Sequence, residues 1–127
     1  MNDRRLRVSA RKDLSDCLLA TGIPFQGRPG HAQFLKELHQ ISQRVAGVRR
    51  FGSAALDLAW VAAGRYDGFW ERALKPWDIA AGVVMIVEAG GAVSAVDGAA
   101  FDLNGGTVAC ANTDLHPKLM ELLKAAG

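Results

Sequence analysis

The sequence has few of the features that mark membrane, secreted or metal-cluster proteins. It contains no apolar run of about 18 residues, the length at which a membrane-spanning helix becomes a candidate. The N-terminal segment MNDRRLRVSARKD is charged and has no apolar centre, so we do not expect a secretory signal. Cys17 and Cys110 lie far apart and match no metal-binding spacing. We therefore expect two reduced thiols in a cytoplasmic protein with no membrane partner.

Common catalytic motifs are also missing. The chain has no G-x-S-x-G, no P-loop and no C-x-x-C. Its three histidines, at positions 31, 39 and 116, show no metal-binding spacing. Hydrolysis by a nucleophilic serine, nucleotide binding by a P-loop and dithiol redox chemistry therefore lose their usual sequence support.

What the chain does have is enough apolar residues for a folded core. Half of its 127 residues are hydrophobic, which argues against disorder. The length is that of one domain, and we expect residues 1–127 to form a single α/β domain.

Charge is unevenly distributed along the chain. Residues 1–50 carry a net charge of +6 and residues 51–127 a net charge of −4. A basic first third could attract nucleic acid or another anionic partner. No aromatic residue lies among Arg4, Arg5, Arg7, Arg11 and Lys12 to stack on bases, so we favour a solvated or subunit-facing edge.

Hydrophobic periodicity predicts alternating helices and strands. Helices are expected at residues 31–45, 54–63 and 78–89, and in a last amphipathic segment capped by Thr113, with Leu115, Leu119, Leu122 and Leu123 turned inward. Strands are expected at residues 6–9, 48–51, 66–71, 92–96 and 108–111, whereas residues 13–20 fit a short helix and residues 17–21 a strand. Gly22-Ile23-Pro24 is predicted to end the preceding helix or strand, and residues 26–30 are predicted to form a loop. Gly47 is predicted to end the helix before it.

This alternation predicts an α/β fold with a mostly parallel or mixed sheet flanked by helices. In such sheets ligands bind beyond the strand ends, near helix N-termini. Gly52-Ser53 and Trp77-Asp78 are therefore the places where we expect a site.

Three polar residues near these places have two interpretations each. Ser53 follows a strand and Gly52, a layout that suits an anion or a hydroxyl, yet it can simply cap its own helix. Glu71 ends an aromatic strand and can share a pocket with Asp78, or pair with Arg72 or Lys75 at the surface. Asp78 can cap a buried helix or hold a metal ion. Spacing alone favours the structural interpretation each time.

Residues 49–93 resemble the C-terminal half of the inositol monophosphatase family. The shared elements, in order, are Gly-Ser-Ala-Ala, an apolar helix ending in Ala-Gly-Arg, an acidic residue after an aromatic pair, Trp-Asp-x-Ala-Ala-Gly and Glu-Ala-Gly-Gly. Looser similarity extends over nearly the whole chain.

The resemblance implies a fold like the C-terminal α/β domain of these enzymes, which are Mg²⁺-dependent, Li⁺-sensitive phosphatases of inositol and related polyol phosphates. It implies that Asp78 is a metal ligand close to a substrate hydroxyl. It implies that Gly52, Ser53 and Ala54 line the substrate site, and that Glu71 accepts hydrogen bonds from ring hydroxyls. In the family, metal ions activate a water molecule for in-line attack on phosphorus.

The family's other metal ligands lie in an N-terminal half with an Asp-Pro-x-Asp-Gly-Thr motif, and this sequence contains no such motif. We therefore expect a chain without the N-terminal metal-binding half, to which we assign no catalytic residue. Alone it should be inactive, and its exposed apolar surface should bind that half or a second copy. The alternative is a non-enzymatic protein that interacts with RNA or transcription factors, since some bacterial members of the family bind RNA-polymerase-associated factors.

Overall fold

The computed structural model describes residues 6–22, 30–50 and 52–127. These residues form five strands and four helices in nearly strict alternation. The strands are β1 (Leu18–Thr21), β2 (Gly47–Arg49), β3 (Gly68–Glu71), β4 (Gly91–Ser94) and β5 (Val108–Asn112). The helices are α1 (His31–Ser42), α2 (Ala54–Ala62), α3 (Pro76–Glu88) and α4 (Leu115–Ala125), and a single 3₁₀ turn covers Leu14–Asp16.

The strands form one mixed sheet in the order β2-β1-β3-β5-β4. β1 pairs in parallel with both β2 and β3, and β5 pairs antiparallel with β3 and β4. The predicted α/β class with a parallel or mixed sheet is therefore confirmed, and β3 is its central strand.

Each face of the sheet carries a pair of helices. Alternate strand residues point to opposite faces, as the pleat requires. On one face Ala20, Phe69 and Cys110 pack with the apolar residues of α2 and α3. On the other, Leu19, Trp70 and Ala109 pack with α1 and α4.

The predicted helices and most predicted strands exist, with shifted ends. Helix α3 begins at Pro76, two residues before the predicted start, since proline suits the first helical position. Strands β3 and β4 are shorter than predicted. For residues 13–21 both interpretations hold in part, because the 3₁₀ turn precedes β1. The predicted break at Ile23-Pro24, the loop over residues 26–29 and Phe51 lie outside the described residues.

Residues 6–9 do not form the predicted strand. Val8 donates one backbone hydrogen bond to the Ala89 carbonyl at 3.1 Å, and a single bond does not make the repeated pairing of a β-strand. Leu6 and Val8 instead pack against the core on the α2–α3 face. Alternation of apolar and polar residues indicates that one side of an extended segment is buried. It does not require pairing with another strand, so the strand prediction was wrong here.

Gly47 is not the stop of α1, as its position suggested. The helix ends at Ser42, and Gly47 is the first residue of β2. The amides of Ala46 and Gly47 both donate to the Cys17 carbonyl, at 2.9 and 3.3 Å. Docking on the start of β1 therefore decides where the chain leaves the helix.

Thr113 does not cap the last helix; Asp114 occupies the N-cap position without a side-chain bond. The Asn112 side-chain oxygen accepts from the amides of Asp114 and Leu115, at 3.0 and 2.8 Å. Its amide group donates to the carbonyls of Ser9 and Arg11, at 2.8 and 2.7 Å. One buried side chain thus starts α4 and holds the N-terminal segment. The four leucines predicted to turn inward are all buried.

No helix within the described ranges combines the length and apolar character that crossing a bilayer requires.

The close packing of α2 on α3 depends on Gly82. A Cβ atom at this position would lie 2.5 Å from the Leu58 Cβ. We expect Gly82→Ala to lower the free energy of unfolding by about 1–3 kcal/mol through overpacking, although alanine favours the helix by about 1 kcal/mol. Urea unfolding measures the change. Ala81→Gly, at an exposed position of the same helix, measures the propensity effect alone, and a more stable Gly82→Ala variant would contradict this account.

Candidate functional site

The residues that sequence reasoning selected lie around one cavity of about 350 Å³. Gly52, Ser53 and Ala54 approach it from the start of α2, Glu71 from the end of β3, and Asp78 from the first turn of α3. Ala55, Ala73, Leu74 and Lys75 complete the lining. The structure therefore places two helix N-termini and two carboxyl groups at the carboxyl end of the central strand.

Gly52 and Ser53 turn the chain into α2. Gly52 has φ of +80°, in the left-handed region that favours glycine. The Ser53 hydroxyl accepts a hydrogen bond from the Leu56 amide at 3.3 Å, so its capping role is confirmed. Capping and ligand contact are compatible here, because the first-turn amides of a helix have no partner within it. The start of α2 can thus offer backbone N–H groups to an anion or a hydroxyl.

Asp78 is held by the backbone before its helix. Its Oδ2 accepts from the Lys75 amide at 3.2 Å, which confirms the capping role that its position predicted. A carboxylate has about four lone-pair positions, so this bond leaves acceptor capacity directed at the cavity. The cap also restricts the side chain, which is what a ligand-contacting carboxylate requires.

Glu71 is pressed into a crowded corner beside Gly22. A Cβ atom at Gly22 would lie 2.2 Å from Oε1 of Glu71, so the carboxyl group occupies the space that a side chain at position 22 would take. Burial raises its pKa to about 7, and repulsion from Asp57 and Asp78 adds to the effect. Near neutral pH the group therefore exchanges between a form that accepts hydrogen bonds and a form that also donates one.

Arg72 does not pair with Glu71, contrary to the surface interpretation of that carboxylate. Its guanidinium bonds to Glu37 on α1 instead, with a shortest N–O distance of 2.6 Å. Glu71 is the last residue of β3 and lines the cavity, whereas Arg72 lies in the bend that follows and reaches Glu37 on α1.

The turn between β3 and α3 is strained. Ala73 has φ of +61°, an uncommon conformation for a residue with a Cβ atom. The Leu74 amide, which donates to the Gly106 carbonyl at 2.8 Å, anchors the turn just beyond it. Strain of this kind is often found at functional sites, and Ala73 lines the cavity.

Asp57 is a buried carboxyl group that sequence reasoning did not assign. It is 1% exposed, and its Oδ1 has no hydrogen-bond partner in the described residues. Burial raises its pKa to about 6, and its charge acts on Glu71 as described above. The sequence could have indicated this residue, because Asp57 is the lone charged residue of an otherwise apolar helix. In such a helix a charged side chain is expected to be buried, which is costly unless it has a function.

The described residues contain no group of three or more His, Cys, Asp or Glu side chains that could hold a metal ion. Mg²⁺ requires nearly octahedral oxygen coordination. Asp78, at the cavity, could supply one ligand of such a site. The described part of this chain does not fit a complete Mg²⁺ centre.

A larger groove of about 730 Å³ lies on the other face of the sheet, between α1, α4 and the turn after β4. The polar residues that line it together with apolar ones are Gln33, Arg72, Asp97, Glu121 and Lys124, and none of the residues predicted for the site contributes. Its size alone does not make it the candidate site, since Glu71, Asp78 and the start of α2 lie around the smaller cavity instead.

Asp57 makes folding depend on pH. Its folded pKa of about 6 lies above the ordinary 3.8, so the folded state binds the proton more tightly. The group therefore favours folding below pH 4, and that contribution is lost as pH rises to about 6. We expect Asp57→Asn to flatten this fall and to raise the free energy of unfolding at pH 7 by on the order of 2 kcal/mol. Urea unfolding between pH 4 and 8 measures both effects.

Asp114→Asn provides the matched control, because Asp114 is exposed at the start of α4 and makes no side-chain capping bond. It should leave the pH dependence unchanged. An Asp57→Asn variant that loses stability at pH 7 would mean that the native carboxylate has a partner and is not an orphaned charge.

Comparison with known proteins places this geometry in a family. A model of the inositol monophosphatase family matches residues 1–127. An inositol-1-monophosphatase from Caulobacter vibrioides is 60% identical over 98% of this chain and 49% of its own length. A Nus factor SuhB from Pseudomonas aeruginosa is 44% identical over 98% of this chain and 46% of its own length.

A solved structure agrees with these matches. The crystal structure of the extragenic suppressor protein SuhB from Bartonella henselae is similar with a TM-score of 0.92 and 50% identity, over 97% of this chain and 48% of that one. The chain thus spans about half the length of the curated relatives it matches. Since the family model matches every residue from 1 to 127, the chain belongs to the inositol monophosphatase family.

Proposed function

We propose that this chain is the substrate-contacting half of a Mg²⁺-dependent, Li⁺-sensitive phosphatase that hydrolyses inositol monophosphate or a related polyol phosphate monoester. The observation that carries the proposal is the meeting of Gly52-Ser53, Glu71 and Asp78 around one cavity. Family membership and a relative named inositol-1-monophosphatase support it further.

Each part of the cavity suits a polyol phosphate. Backbone N–H groups at the starts of α2 and α3 favour negatively charged or hydroxyl oxygens. Glu71 is proposed to bind ring hydroxyls, which present both donors and acceptors to a carboxyl group that titrates near pH 7. Gly52, Ser53 and Ala54 are proposed to line the substrate site beside it.

Asp78 is proposed to contact both a Mg²⁺ ion and a substrate hydroxyl. A single capped carboxylate does not assemble a Mg²⁺ centre, and the remaining carboxylates would come from an N-terminal half of the family. In the complete enzyme bound Mg²⁺ would supply Lewis-acid chemistry. The part of this chain in the reaction is then to bind and orient the substrate, and we assign it no catalytic residue.

An apolar face supports the need for a partner. The exposed large apolar side chains include Leu56 at 42%, Trp77 at 78%, Val84 at 56% and Val87 at 57%, all on α2 and α3. Helices that are apolar on all sides are normally buried. We propose that residues 1–127 form one α/β domain whose α2–α3 face is covered by the N-terminal half or by a second copy.

A second candidate function is a non-enzymatic interaction with RNA or a transcription factor. Relatives named Nus factor SuhB favour it, as do Arg49 and Arg50, which are exposed at the end of β2. Arg11 contributes less, because it pairs with Asp67 at 3.2 Å. The phosphatase proposal accounts for Glu71 and Asp78, which nucleic-acid binding leaves unexplained.

We expect the isolated chain to release no phosphate from inositol 1-phosphate in millimolar Mg²⁺, because one carboxylate cannot assemble the metal site. A phosphate-release assay with and without Li⁺ tests this. Clear turnover that Li⁺ inhibits would contradict the expectation.

Addition of an N-terminal family half that carries Asp-Pro-x-Asp-Gly-Thr tests the proposed function directly. Activity should return, and Asp78→Asn should abolish it, whereas Asp114→Asn, at the start of α4 and away from the cavity, should retain it. Binding of the two halves without activity, together with salt-sensitive retention of the chain on RNA, would favour the second candidate function.

The apolar face also predicts association in solution. We expect sedimentation velocity to show an oligomer of the isolated chain, and the double variant Val84→Lys/Val87→Lys to shift it towards monomer, since both positions are exposed on α3. A matched Glu121→Lys change on α4 should leave the oligomer intact. A wild-type chain that sediments as a monomer at all concentrations would contradict the prediction.

A further inference from the structure

The end of β3 is held from the face opposite the cavity by a buried acid on α1. Glu37 is 0% exposed. Its Oε2 accepts from Nε and Nη2 of Arg72, at 3.0 and 2.6 Å. Its Oε1 accepts from the indole Nε1 of Trp70 at 3.3 Å. One carboxylate thus binds the two residues that flank Glu71.

The remaining contacts of this strand end strengthen the hold. The ring of Trp70 stacks on Phe34, with centroids 6.3 Å apart and an interplanar angle of 17°. The Thr21 hydroxyl donates to the Trp70 carbonyl at 2.7 Å. Trp70, just before Glu71, is therefore held by α1 through its side chain and by β1 through its backbone carbonyl.

Glu71 itself points to the other face. Since side chains alternate along β3, Trp70 faces α1 while Glu71 faces the cavity. Arg72, in the bend just after β3, reaches α1 through its bond to Glu37. Its carboxyl group already lies against Gly22 with no room for a Cβ atom there. A small rotation of the strand end would move this carboxyl group out of its corner, so fixing residues 70 and 72 fixes Glu71.

Stability alone is a weak reason for such a buried acid. Buried ion pairs are often no more stabilising than apolar side chains of similar volume. Three directional hydrogen bonds, two of them to the planar guanidinium, instead define a single geometry. The hydrogen bonds of Glu37 are therefore suited to holding Trp70 and Arg72 in one orientation.

We propose that Glu37 is a positioning residue that acts through Trp70 and Arg72 to orient the Glu71 carboxyl group and so sets selectivity for substrate hydroxyls. The effect on selectivity depends on the substrate-binding role proposed above for Glu71. The orientation of Glu71 by Glu37 does not depend on that role. Glu37 touches no substrate in this scheme.

The positioning is tested by NMR of the full chain with ¹³C-labelled glutamate side chains. In Glu37→Gln, the Glu71 side-chain signals should shift or broaden, and the Trp70 indole N–H signal should move with them. Arg11→Met is the matched control, because it removes the Arg11–Asp67 ion pair just before the other end of β3. It should lower stability while leaving the Glu71 signals unchanged.

The consequence for selectivity is tested on the chain combined with the N-terminal family half, by titration with inositol 1-phosphate and, separately, with inorganic phosphate, in Mg²⁺. Glu37→Gln should weaken inositol 1-phosphate about tenfold, as expected for a misplaced charge-assisted hydrogen bond, and change inorganic phosphate binding less than about twofold. A purely structural defect would weaken both ligands alike, as would be seen for any loosened cavity.

A second variant guards against loss of folding. Glu37→Met/Arg72→Met replaces the ion pair with apolar side chains of similar length, which a buried site tolerates better than one unpaired charge. It should displace the Glu71 signals as Glu37→Gln does. Unchanged Glu71 signals in both folded variants would overturn the proposal. If the wild-type chain combined with the N-terminal family half does not bind inositol 1-phosphate, the proposed function fails, and the NMR comparison on the chain alone still decides the positioning.

Discussion

The alternation of side chains along β3 is the constraint on which the candidate site depends. Strand β3 is central, paired with β1 on one side and β5 on the other. Trp70 leaves it towards α1 and Glu71 towards α2 and α3, and Arg72, just beyond its end, also reaches α1. A carboxyl group at the strand end can therefore be held from one face and presented to a ligand on the other. The parallel β1–β3 pairing also brings Gly22, just beyond β1, against that carboxyl group.

The site concentrates acidic groups where burial makes them costly. Glu71 and Asp57 both have raised pKa values because water is excluded from them. An apolar replacement would fold more readily, so the cost points to a function that needs carboxyl groups at this place. Positive charge from a bound cation or from neighbouring helix N-termini would reverse the penalty. The exposed apolar residues of the α2–α3 face are also unfavourable in water, so an isolated chain is expected to bury them by association.

Local patterns predicted most elements and missed several ends. The apolar periodicities of α1, α2 and α4 report burial directly, and the chain follows them. The end of α1 is decided by the docking of Ala46 and Gly47 on Cys17, and the start of α4 by Asn112, whose partners Ser9 and Arg11 are about a hundred residues away. Residues 6–9 alternate between apolar and polar side chains as a strand would, yet they pair with no strand in the described structure. Each of these outcomes depends on a contact distant in sequence, which no local window contains.

The sequence by itself determined the family, the α/β class and the identity of Gly52, Ser53, Glu71 and Asp78 as the residues to examine, because ordered motifs and periodicity are local properties. Only the tertiary structure decided that Arg72 pairs with Glu37, that Asp57 is buried with its Oδ1 unpartnered among the described residues, and that Gly22 bounds the Glu71 carboxyl group. These depend on which face of the sheet each side chain meets. That choice is made by strand pairing and helix packing, and not by the residues next to it in the chain.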